Sequence, residues 1–242
     1  MERFSRTEKL LGTEKLLRLQ ASSAVLFGAG AVGSFAAEAL VRSGIGSLII
    51  VDYDDISLSN INRQLFALES TLGQNKVDTA IARLLDINPK CRLTGVKQFA
   101  DVNTIPEILK SPPDIVLDAI DTVDPKLELL TYCARSSIPV ISSMGAARKT
   151  DPLAVRVDSL FKSAHCPLAR LMRKYLRRRG IKSGITCVYS TEPPLPPRPG
   201  EDSDELSGTN HSTKIMGSLT TITGIFGLVL ADTAMKIITG DY

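Results

Sequence analysis

Three glycines open a stretch whose residue types and spacing could hold a phosphate. The segment AVLFGAGAVGSFAAEAL places Gly28, Gly30 and Gly33 between an apolar run and a helix of small residues. In such a turn the first glycine permits a tight bend, the second lets the backbone approach a phosphate, and the third lets the helix pack on the sheet. The N-terminus of the helix adds unpaired N–H groups and the positive end of a dipole. Alone, this pattern is equally compatible with NAD, FAD and ATP.

Charged and polar side chains follow the next predicted strand, in the segment DYDDISLSNINRQ from Asp52 to Gln64. Asp52 ends that strand, where a carboxylate can accept hydrogen bonds from the hydroxyls of a ribose. Arg63 in this segment and Lys76, which opens the next predicted helix in GQNKVDTA, supply two fixed cations. Cations placed here would neutralise a triphosphate and stabilise a pentacoordinate phosphorus, which hydride transfer does not require.

Further carboxylates come from DIVLDAIDTVDPK, which ends a predicted strand with Asp118 and Asp121. A carboxylate at the carboxyl end of a strand is well placed to hold the Mg²⁺ of a nucleoside triphosphate. Each charged residue taken singly is better explained as a surface ion pair or a helix cap, whereas together they favour ATP. The predicted nucleotide-binding residues are Gly28, Gly30, Gly33, Asp52, Asp54, Asn60, Arg63, Gln64, Lys76 and Asp121.

These residues need a scaffold that brings strand ends together. Short apolar strands alternate with helical stretches through the first two-thirds of the chain, which is typical of a parallel sheet covered by helices. We therefore predict an α/β fold with a Rossmann-like, doubly wound, mostly parallel sheet, extended by antiparallel strands in the C-terminal third. The predicted strands are 24–27, 47–51, 92–96, 115–117 and 140–142, and the predicted helices are 31–42, 76–86, 102–109 and 125–135.

The length of 242 residues predicts one domain, residues 1–242, with a nucleotide-binding half at 1–150 and a substrate-binding half at 151–242. In the second half, LAVRVDSL and GITCVYS are predicted strands on either side of a basic helix. Residues 191–213 are rich in Pro, Gly, Ser and acid, so we expect a mobile crossover loop. Composition alone supports a featureless linker equally well.

Local clusters of residues say more about partners than the net charge of +3 does. The segment RLMRKYLRRRGIK, from Arg170 to Lys182, contains seven Lys or Arg residues and no acid. Such a stripe binds the phosphates of nucleic acids, although a solvated helix face, or a face that meets the acidic EDSDE sequence, would look the same. The apolar run from Ile215 to Ile238 approaches the length of a membrane span. Because it carries Asp232 and Lys236, we expect a buried core helix and no membrane association.

Several segments resemble a known family. GAGAVGS, DYDDISLSNINRQ, the lysine in GQNKVD, and DAIDTVDPK resemble the adenylating superfamily of ThiF, MoeB and HesA, relatives of the ubiquitin-activating enzymes. RFSRTEKLLG, INPKCR, DAIDTVDPKLELLTYC and CVYSTEPP are similar to one branch, the tRNA threonylcarbamoyladenosine dehydratases. The resemblance implies an ATP- and Mg²⁺-dependent homodimer that adenylates the carboxylate of threonylcarbamoyladenosine in tRNA and then cyclises it. The tRNA would then be the partner of the basic segment.

The resemblance also implies roles for individual residues. Asp52 would bind the ribose, Arg63 and Lys76 would contact the phosphates as catalytic residues, and Asp121 would be the metal ligand. Arg6, in the N-terminal RFSR, would be a third catalytic residue that reaches the ATP of the partner subunit. Relatives that activate a ubiquitin-like protein carry two CxxC pairs for zinc, which this chain lacks.

Other functions stay open at this stage. The main alternative is adenylation of the C-terminus of a ubiquitin-like sulfur carrier, with a sulfur-transfer protein as partner. A nucleotide-dependent sensor without turnover and an NAD oxidoreductase are weaker alternatives. Four cysteines without a CxxC pair favour reduced thiols and a cytoplasmic location. Cys187 is a candidate thiol near the site, but a buried, inert cysteine is the better interpretation.

Overall fold

Seven strands form one sheet in the computed structural model, which describes residues 2–196 and 216–241. The order across the sheet is β3-β2-β1-β4-β5-β7-β6, and every neighbouring pair is parallel except β6 and β7. The predicted mostly parallel sheet with an antiparallel extension is confirmed, although β6 alone runs against the others. The strands are β1 Ser23–Phe27, β2 Ser47–Val51, β3 Arg92–Val96, β4 Ile115–Asp118, β5 Val140–Ser143, β6 Val155–Ser159 and β7 Thr186–Ser190.

Helices cover both faces of the sheet, which explains why the central strands are apolar on both sides. In the described residues the α-helices are α1 Ser5–Leu11, α2 Thr13–Ala21, α3 Gly33–Ser43, α4 Lys76–Ile87, α5 Thr104–Ile108, α6 Val123–Arg135, α7 Pro167–Arg178 and α8 Thr220–Thr239. One core lies between the sheet and α3, α4 and α8, and the other lies between the sheet and α5, α6 and α7. The helices α1 and α2 were not predicted from the sequence.

Helix α8 packs closely on α3. A Cβ atom on Gly227 would lie 2.4 Å from the carbonyl oxygen of Val32, so only glycine permits this approach. By length and composition alone α8 could cross a membrane, but 50% of its most apolar stretch is buried inside the protein. Of the crossover loop predicted at residues 191–213, residues 191–196 contain no helix or strand, and the remainder lies outside the described residues.

The position of the candidate site follows from the strand order. Strand β1 lies between β2 and β4, so the connection that leaves β1 runs to one side, toward β2, and the connection that leaves β4 runs to the other, toward β5. In open sheets of this kind a crevice forms at that point and receives the ligand. The turn after β1, the residues after β2 and the residues after β4 all meet at this edge.

Candidate active site

The turn between β1 and α3 has the geometry of a phosphate loop. Gly28 has φ +93°, and a Cβ on it would lie 2.8 Å from the carbonyl oxygen of Ala119. A Cβ on Gly33 would lie 1.8 Å from the carbonyl oxygen of Gly28. Gly30 differs, because a Cβ there would meet only the side chain of Gln64, at 3.7 Å. The fold itself therefore requires glycine at 28 and 33, while the open space over Gly30 suits a ligand.

Helix α3 begins without a side-chain hydrogen bond to its first N–H groups. Those groups and the positive end of the helix dipole face the same turn, which is the arrangement that binds phosphate. The hydroxyl of Ser34 accepts a hydrogen bond from the N–H of Leu65 at 3.1 Å, so the segment that contains Arg63 and Gln64 is tied to the start of α3.

Asp52 links the glycine turn to the residues after β2. Its carboxylate accepts hydrogen bonds from the N–H of Ala29 at 2.7 Å and from the N–H of Asp54 at 2.9 Å. The side chain is buried, with 9% of the residue exposed. Each carboxylate oxygen keeps lone-pair capacity for a further donor, so Asp52 can hold a ribose hydroxyl while it holds the turn.

Two of the predicted cations lie near this edge in different environments. Lys76 is buried at the start of α4, and its Nζ lies 2.6 Å from Oδ2 of Asp54, which is half exposed. Arg63 is partly exposed, and its Nη1 donates to the carbonyl oxygen of Ser59 at 2.7 Å and to Oδ1 of Asn62 at 2.9 Å. Within residues 2–196 and 216–241 no carboxylate pairs with Arg63, so its charge is available to a phosphate.

Asn60 has a local role. Its Oδ1 accepts a hydrogen bond from the N–H of Ser57 at 3.0 Å and closes the short turn that carries Arg63. It is buried, with 8% exposed. The sequence predicted Asn60 as a nucleotide-binding residue; its contact with Ser57 shapes the loop, and the nucleotide contact stays a prediction.

The carboxylates after β4 have separate environments. Asp118 is fully buried, with its Oδ2 2.6 Å from Nζ of Lys126 and 2.5 Å from the hydroxyl of Ser142, so this ion pair occupies it. Asp121 is exposed. Burial raises the pKa of the Tyr53 phenol, and the charges of Asp54, Asp121 and Asp52 raise it further. Because these charges act on one phenol, Asp121 lies in the neighbourhood of the carboxylates after β2.

No group of three or more His, Cys, Asp or Glu residues close enough to hold a metal ion occurs in the described part of the chain. A Mg²⁺ ion needs only one or two carboxylates when phosphates and water complete its coordination. Exposed Asp121, at the edge where phosphates would lie, fits that requirement, and buried Asp118 does not.

Arg6 lies far from the glycine turn of its own chain. It is exposed on α1 and lines a cavity of about 360 Å³ together with Ser43, Asp232 and Met235. Ser43 is the last residue of α3, whereas the glycine turn lies at the first residue, Gly33. Eleven helical residues span about 16 Å, so the structure does not bring Arg6 to this turn.

Two further sequence predictions concern the second half of the chain. The basic segment forms most of α7 and the residues that follow it, and five of its seven cations are exposed: Arg170, Lys174, Arg177, Arg178 and Lys182. Cys187 is fully buried in β7, and burial raises its pKa to about 12. A thiol with that pKa is protonated at neutral pH, which agrees with an inert cysteine.

Sequence reasoning missed three functional candidates. They are Tyr53 beside Asp52 and Asp54, Lys126 of α6, which pairs with Asp118 at the end of β4, and Lys149 in the turn after β5. Tyr53 lies inside the quoted motif, and its ring packs edge-on against Phe99 at 5.0 Å between centroids. The two lysines read as ordinary polar positions in the sequence, and only the tertiary fold shows that they are buried.

A glycine turn at a helix N-terminus, a carboxylate bonded to that turn and a buried lysine at the start of the helix after β2 are the arrangement of a nucleotide-binding α/β protein. Comparison with known proteins gives the family. The ThiF family matches residues 4–242. The tRNA threonylcarbamoyladenosine dehydratase of Bacillus subtilis (strain 168) is 45% identical over 195 residues, which are 81% of this chain and 77% of that protein.

Solved structures agree with this result. E. coli tRNA N6-threonylcarbamoyladenosine dehydratase, TcdA, in complex with ATP is similar with a TM-score of 0.88 and 33% identity, over 99% of this chain and 95% of that chain. The complex of the same protein with AMP gives a TM-score of 0.89 with the same identity and coverage. The chain belongs to the ThiF family, so the predicted resemblance is confirmed.

Proposed function

We propose that this chain is an ATP-dependent tRNA threonylcarbamoyladenosine dehydratase, which adenylates the carboxylate of the modified nucleoside and cyclises it. The observation that carries the proposal is the likeness to the E. coli dehydratase over 99% of this chain. The glycine turn, Asp52 and Lys76 supply the local chemistry that such a reaction needs. Residues 1–150 would then bind ATP, and residues 151–242 would bind the nucleoside.

The proposed reaction has two steps, adenylation and cyclisation. A carboxylate oxygen of the substrate attacks the α-phosphorus of ATP, a P–O bond forms, and pyrophosphate leaves. An internal nucleophile of the modification then attacks the carbonyl carbon, loses its proton, and displaces AMP. One carboxylate oxygen leaves with AMP, so the nucleoside is lighter by one water. No enzyme cysteine is required, because the substrate supplies the nucleophile.

The nucleotide-binding residues have distinct tasks in this proposal. The turn at Gly30 and the start of α3 would hold phosphates, and Asp52 would hold the ribose. Lys76 and Arg63 would stabilise the charge that develops as pyrophosphate leaves. Asp121 would hold Mg²⁺, which when bound neutralises phosphate charge.

Replacement of Arg63 or Lys76 by alanine tests these roles. Loss of one preorganised donor to a transition state lowers kcat about 100-fold or more, and we expect the KM for ATP to change less than kcat. The assay is pyrophosphate release with modified tRNA. Lys110, which is exposed after α5, gives the matched control Lys110→Ala, with normal turnover expected. Unchanged pyrophosphate release in both Arg63→Ala and Lys76→Ala would remove these assignments.

We assign tRNA binding to one face of α7. Arg170, Lys174, Arg177 and Arg178 are exposed and follow helical spacing, so their side chains lie on one side. Lys174 and Arg178 lie 5.6 and 5.8 Å from the centroid of the Tyr175 ring. These cations would contact phosphates and would not distinguish bases.

Two other cations of the segment have structural partners. Arg173 donates to the carbonyl and hydroxyl of Ser163 at 2.8 and 2.6 Å, and Arg179 forms an ion pair of 2.5 Å with Glu128. The segment therefore divides into a phosphate-binding face and two residues that fix the helix in place.

The salt dependence of tRNA binding distinguishes the exposed cations of α7 from the cations that have structural partners. The double variant Lys174→Ala/Arg178→Ala should reduce the slope of log affinity against log salt by about 1.5, because two phosphate contacts are lost. Lys110→Ala should leave the slope unchanged. A double variant with the affinity and slope of the wild type would exclude this face as the tRNA interface.

We also propose that the enzyme is a homodimer in which Arg6 serves the partner's nucleotide. The distance of Arg6 from its own glycine turn supports action in trans. Co-expression of Arg6→Ala with Lys76→Ala tests this arrangement, because mixed dimers would contain one intact site. We expect about a quarter of wild-type activity from the mixture, and no recovered activity would contradict a shared site.

The alternative of a ubiquitin-like sulfur carrier as substrate has weaker support. The absence of CxxC pairs in the sequence counts against it, and we propose no sulfur-transfer partner here. ATP cleavage that depends on a carrier protein ending in Gly-Gly, and not on tRNA, would favour this alternative. We further propose a cytoplasmic location, which the four free cysteines favour.

A further inference from the structure

Lys149, in the turn after β5, is an unusual lysine. Only 2% of it is exposed, and its Nζ donates to the backbone carbonyl of Glu192. Among residues 2–196 and 216–241 no carboxylate forms an ion pair with it, in contrast to buried Lys76 and Lys126. An ammonium group has three donors, so two of them have no acceptor in the described part of the chain. Burial lowers the pKa of Lys149, while Cys166 and Glu192 act in the opposite direction.

A second positive element faces the same place. Cys166 is the N-cap of α7, and its Sγ accepts a hydrogen bond from the N–H of Ala169 at 3.4 Å. A Cβ on Gly145, in the turn after β5, would lie 3.6 Å from the Sγ of Cys166, so the positive end of the twelve-residue helix α7 lies beside the turn that carries Lys149. A buried cation beside a helix N-terminus is destabilised unless an anion joins it.

The one described carboxylate near Lys149 is already engaged. The carboxylate of Glu192 accepts hydrogen bonds from the N–H and hydroxyl of Thr150 and from the N–H of Asp151, at 3.0–3.1 Å. It holds the turn in place and, although its charge raises the pKa of Lys149, it forms no ion pair with the ammonium. Among the described residues the acceptor of the ammonium is a neutral carbonyl, which leaves donors for an anion from outside.

The segment that contacts Lys149 from the C-terminal side is largely exposed to solvent. Residues 191–196, which we call the strap, contact Lys149 through the carbonyl of Glu192 and contain no buried residue. Leu195 is 48% exposed, so apolar burial does not hold the strap down. Hydrogen bonds between Leu195 and Arg148 fasten it to the turn. A ligand must displace the neutral carbonyl of Glu192 from the ammonium, and the hydrogen bonds between Leu195 and Arg148 oppose movement of the strap.

The position of Lys149 relates it to the nucleotide. The turn that carries it follows the carboxyl end of β5, which is the neighbour of β4 and lies two strands from β1. Two strands correspond to about 10 Å, so the turn that carries Lys149 begins at the same edge of the sheet as the glycine turn. The phosphates already have Gly30, Lys76 and Arg63, which leaves Lys149 for a different anion.

We propose that the ammonium of Lys149 receives the carboxylate of the substrate, the group that becomes adenylated. This inference rests on the proposed function. A singly charged carboxylate displaces the Glu192 carbonyl and takes up the unused donors. Once the carboxylate is adenylated, its acyl carbonyl is neutral and the remaining negative charge lies on the phosphate. The ammonium then holds the acyl group less firmly, and cyclisation can follow.

Binding of two tRNAs that differ only in the modification isolates this contact. In the absence of ATP, the wild type should bind tRNA with threonylcarbamoyladenosine at least about tenfold more tightly than the same tRNA with plain adenosine. In Lys149→Met this ratio should fall to near one, with unchanged affinity for the unmodified tRNA and for ATP. Lys149→Arg should retain part of the ratio, and Lys110→Ala should retain all of it.

Several results would overturn the inference. A wild-type ratio of one, or a wild-type ratio preserved in Lys149→Met, would show that the carboxylate is held elsewhere. If Lys149→Met and Lys149→Gln both lost ATP binding, the lysine would be structural and the inference would be wrong. A wild type that does not dehydrate the modified tRNA with ATP would instead refute the proposed function, so the two failures are distinguishable.

Discussion

The buried ion pair at the end of β4 tests whether charge pairing stabilises the candidate active site. Lys126 and Asp118 are each 0% exposed, with 2.6 Å between Nζ and Oδ2. Nζ also donates to the hydroxyl of Ser142 at 3.2 Å and to the carbonyl of Ser143 at 3.0 Å. Lys126→Met leaves a buried carboxylate without its cation, and Asp118→Asn leaves a buried ammonium without its anion. Each change should lower the free energy of unfolding by about 3–5 kcal/mol.

The double variant Lys126→Met/Asp118→Asn should be more stable than either single variant. It removes both buried charges, and the amide oxygen introduced at position 118 could still accept the hydrogen bond that Asp118 takes from the N–H of Ile120 at 3.1 Å. We expect a coupling energy of about 3 kcal/mol between the two sites, measured by urea unfolding at equilibrium. Effects of the two changes that add to within about 0.5 kcal/mol would refute the reasoning.

The same variants should affect the nucleotide site. Ala119 and Ile120 form the turn that Asp118 fixes, and the glycine turn packs against the carbonyl of Ala119 at Gly28. ATP affinity should therefore fall in both single variants and recover in the double variant. Calorimetric titration with ATP measures this, and equal affinities in all four proteins would show that the ion pair does not support the site.

The remaining predictions concern the glycine turn, Cys187 and α7. Gly33→Ala should lower the free energy of unfolding, measured by thermal unfolding, by about 1–3 kcal/mol because the new Cβ meets the Gly28 carbonyl. Gly30→Ala should keep wild-type stability and lose ATP affinity, which titration with ATP measures. Cys187→Ser should keep kcat, and the native thiol should resist alkylation at pH 8, since a pKa of about 12 leaves about one thiolate in 10⁴. Rapid labelling of Cys187 at pH 8 would contradict its burial. Arg179→Ala should reduce stability without changing the salt slope of tRNA binding. Unchanged stability with a smaller salt slope would place this residue at the interface.

The sequence predicted the parts of this fold that local patterns determine. The strands β1 to β5 are short apolar runs between helices of regular period, so their positions agree with prediction to within a residue or so at each end. Helix α3 begins at Gly33, two residues later than predicted, because the turn that Gly28 opens continues through Val32. The helices α1 and α2 were missed because their buried residues are few, and α1 buries none.

In the candidate site, too, the residues of a local motif were predicted and those that depend on tertiary packing were not. Gly28, Gly33 and Asp52 belong to one local motif, and the structure places them together. The residue pattern after β4 offered both Asp118 and Asp121 as carboxylates, and only the family resemblance selected Asp121 as the metal ligand. The difference between them depends on Lys126, eight residues away from Asp118 and on the next helix. Burial of a lysine is a property of tertiary packing, which a sequence pattern does not reveal.

The central claim is tested most directly by the mass of the modified nucleoside. The protein is incubated with tRNA bearing threonylcarbamoyladenosine, with ATP and Mg²⁺ or without ATP, and the tRNA is digested under conditions that preserve a cyclic product. We predict a nucleoside lighter by one water that forms only with ATP, in step with release of pyrophosphate and AMP. An unchanged nucleoside mass, while ATP is still cleaved in the presence of a Gly-Gly carrier protein, would contradict the dehydratase function and assign the ATP site to protein activation.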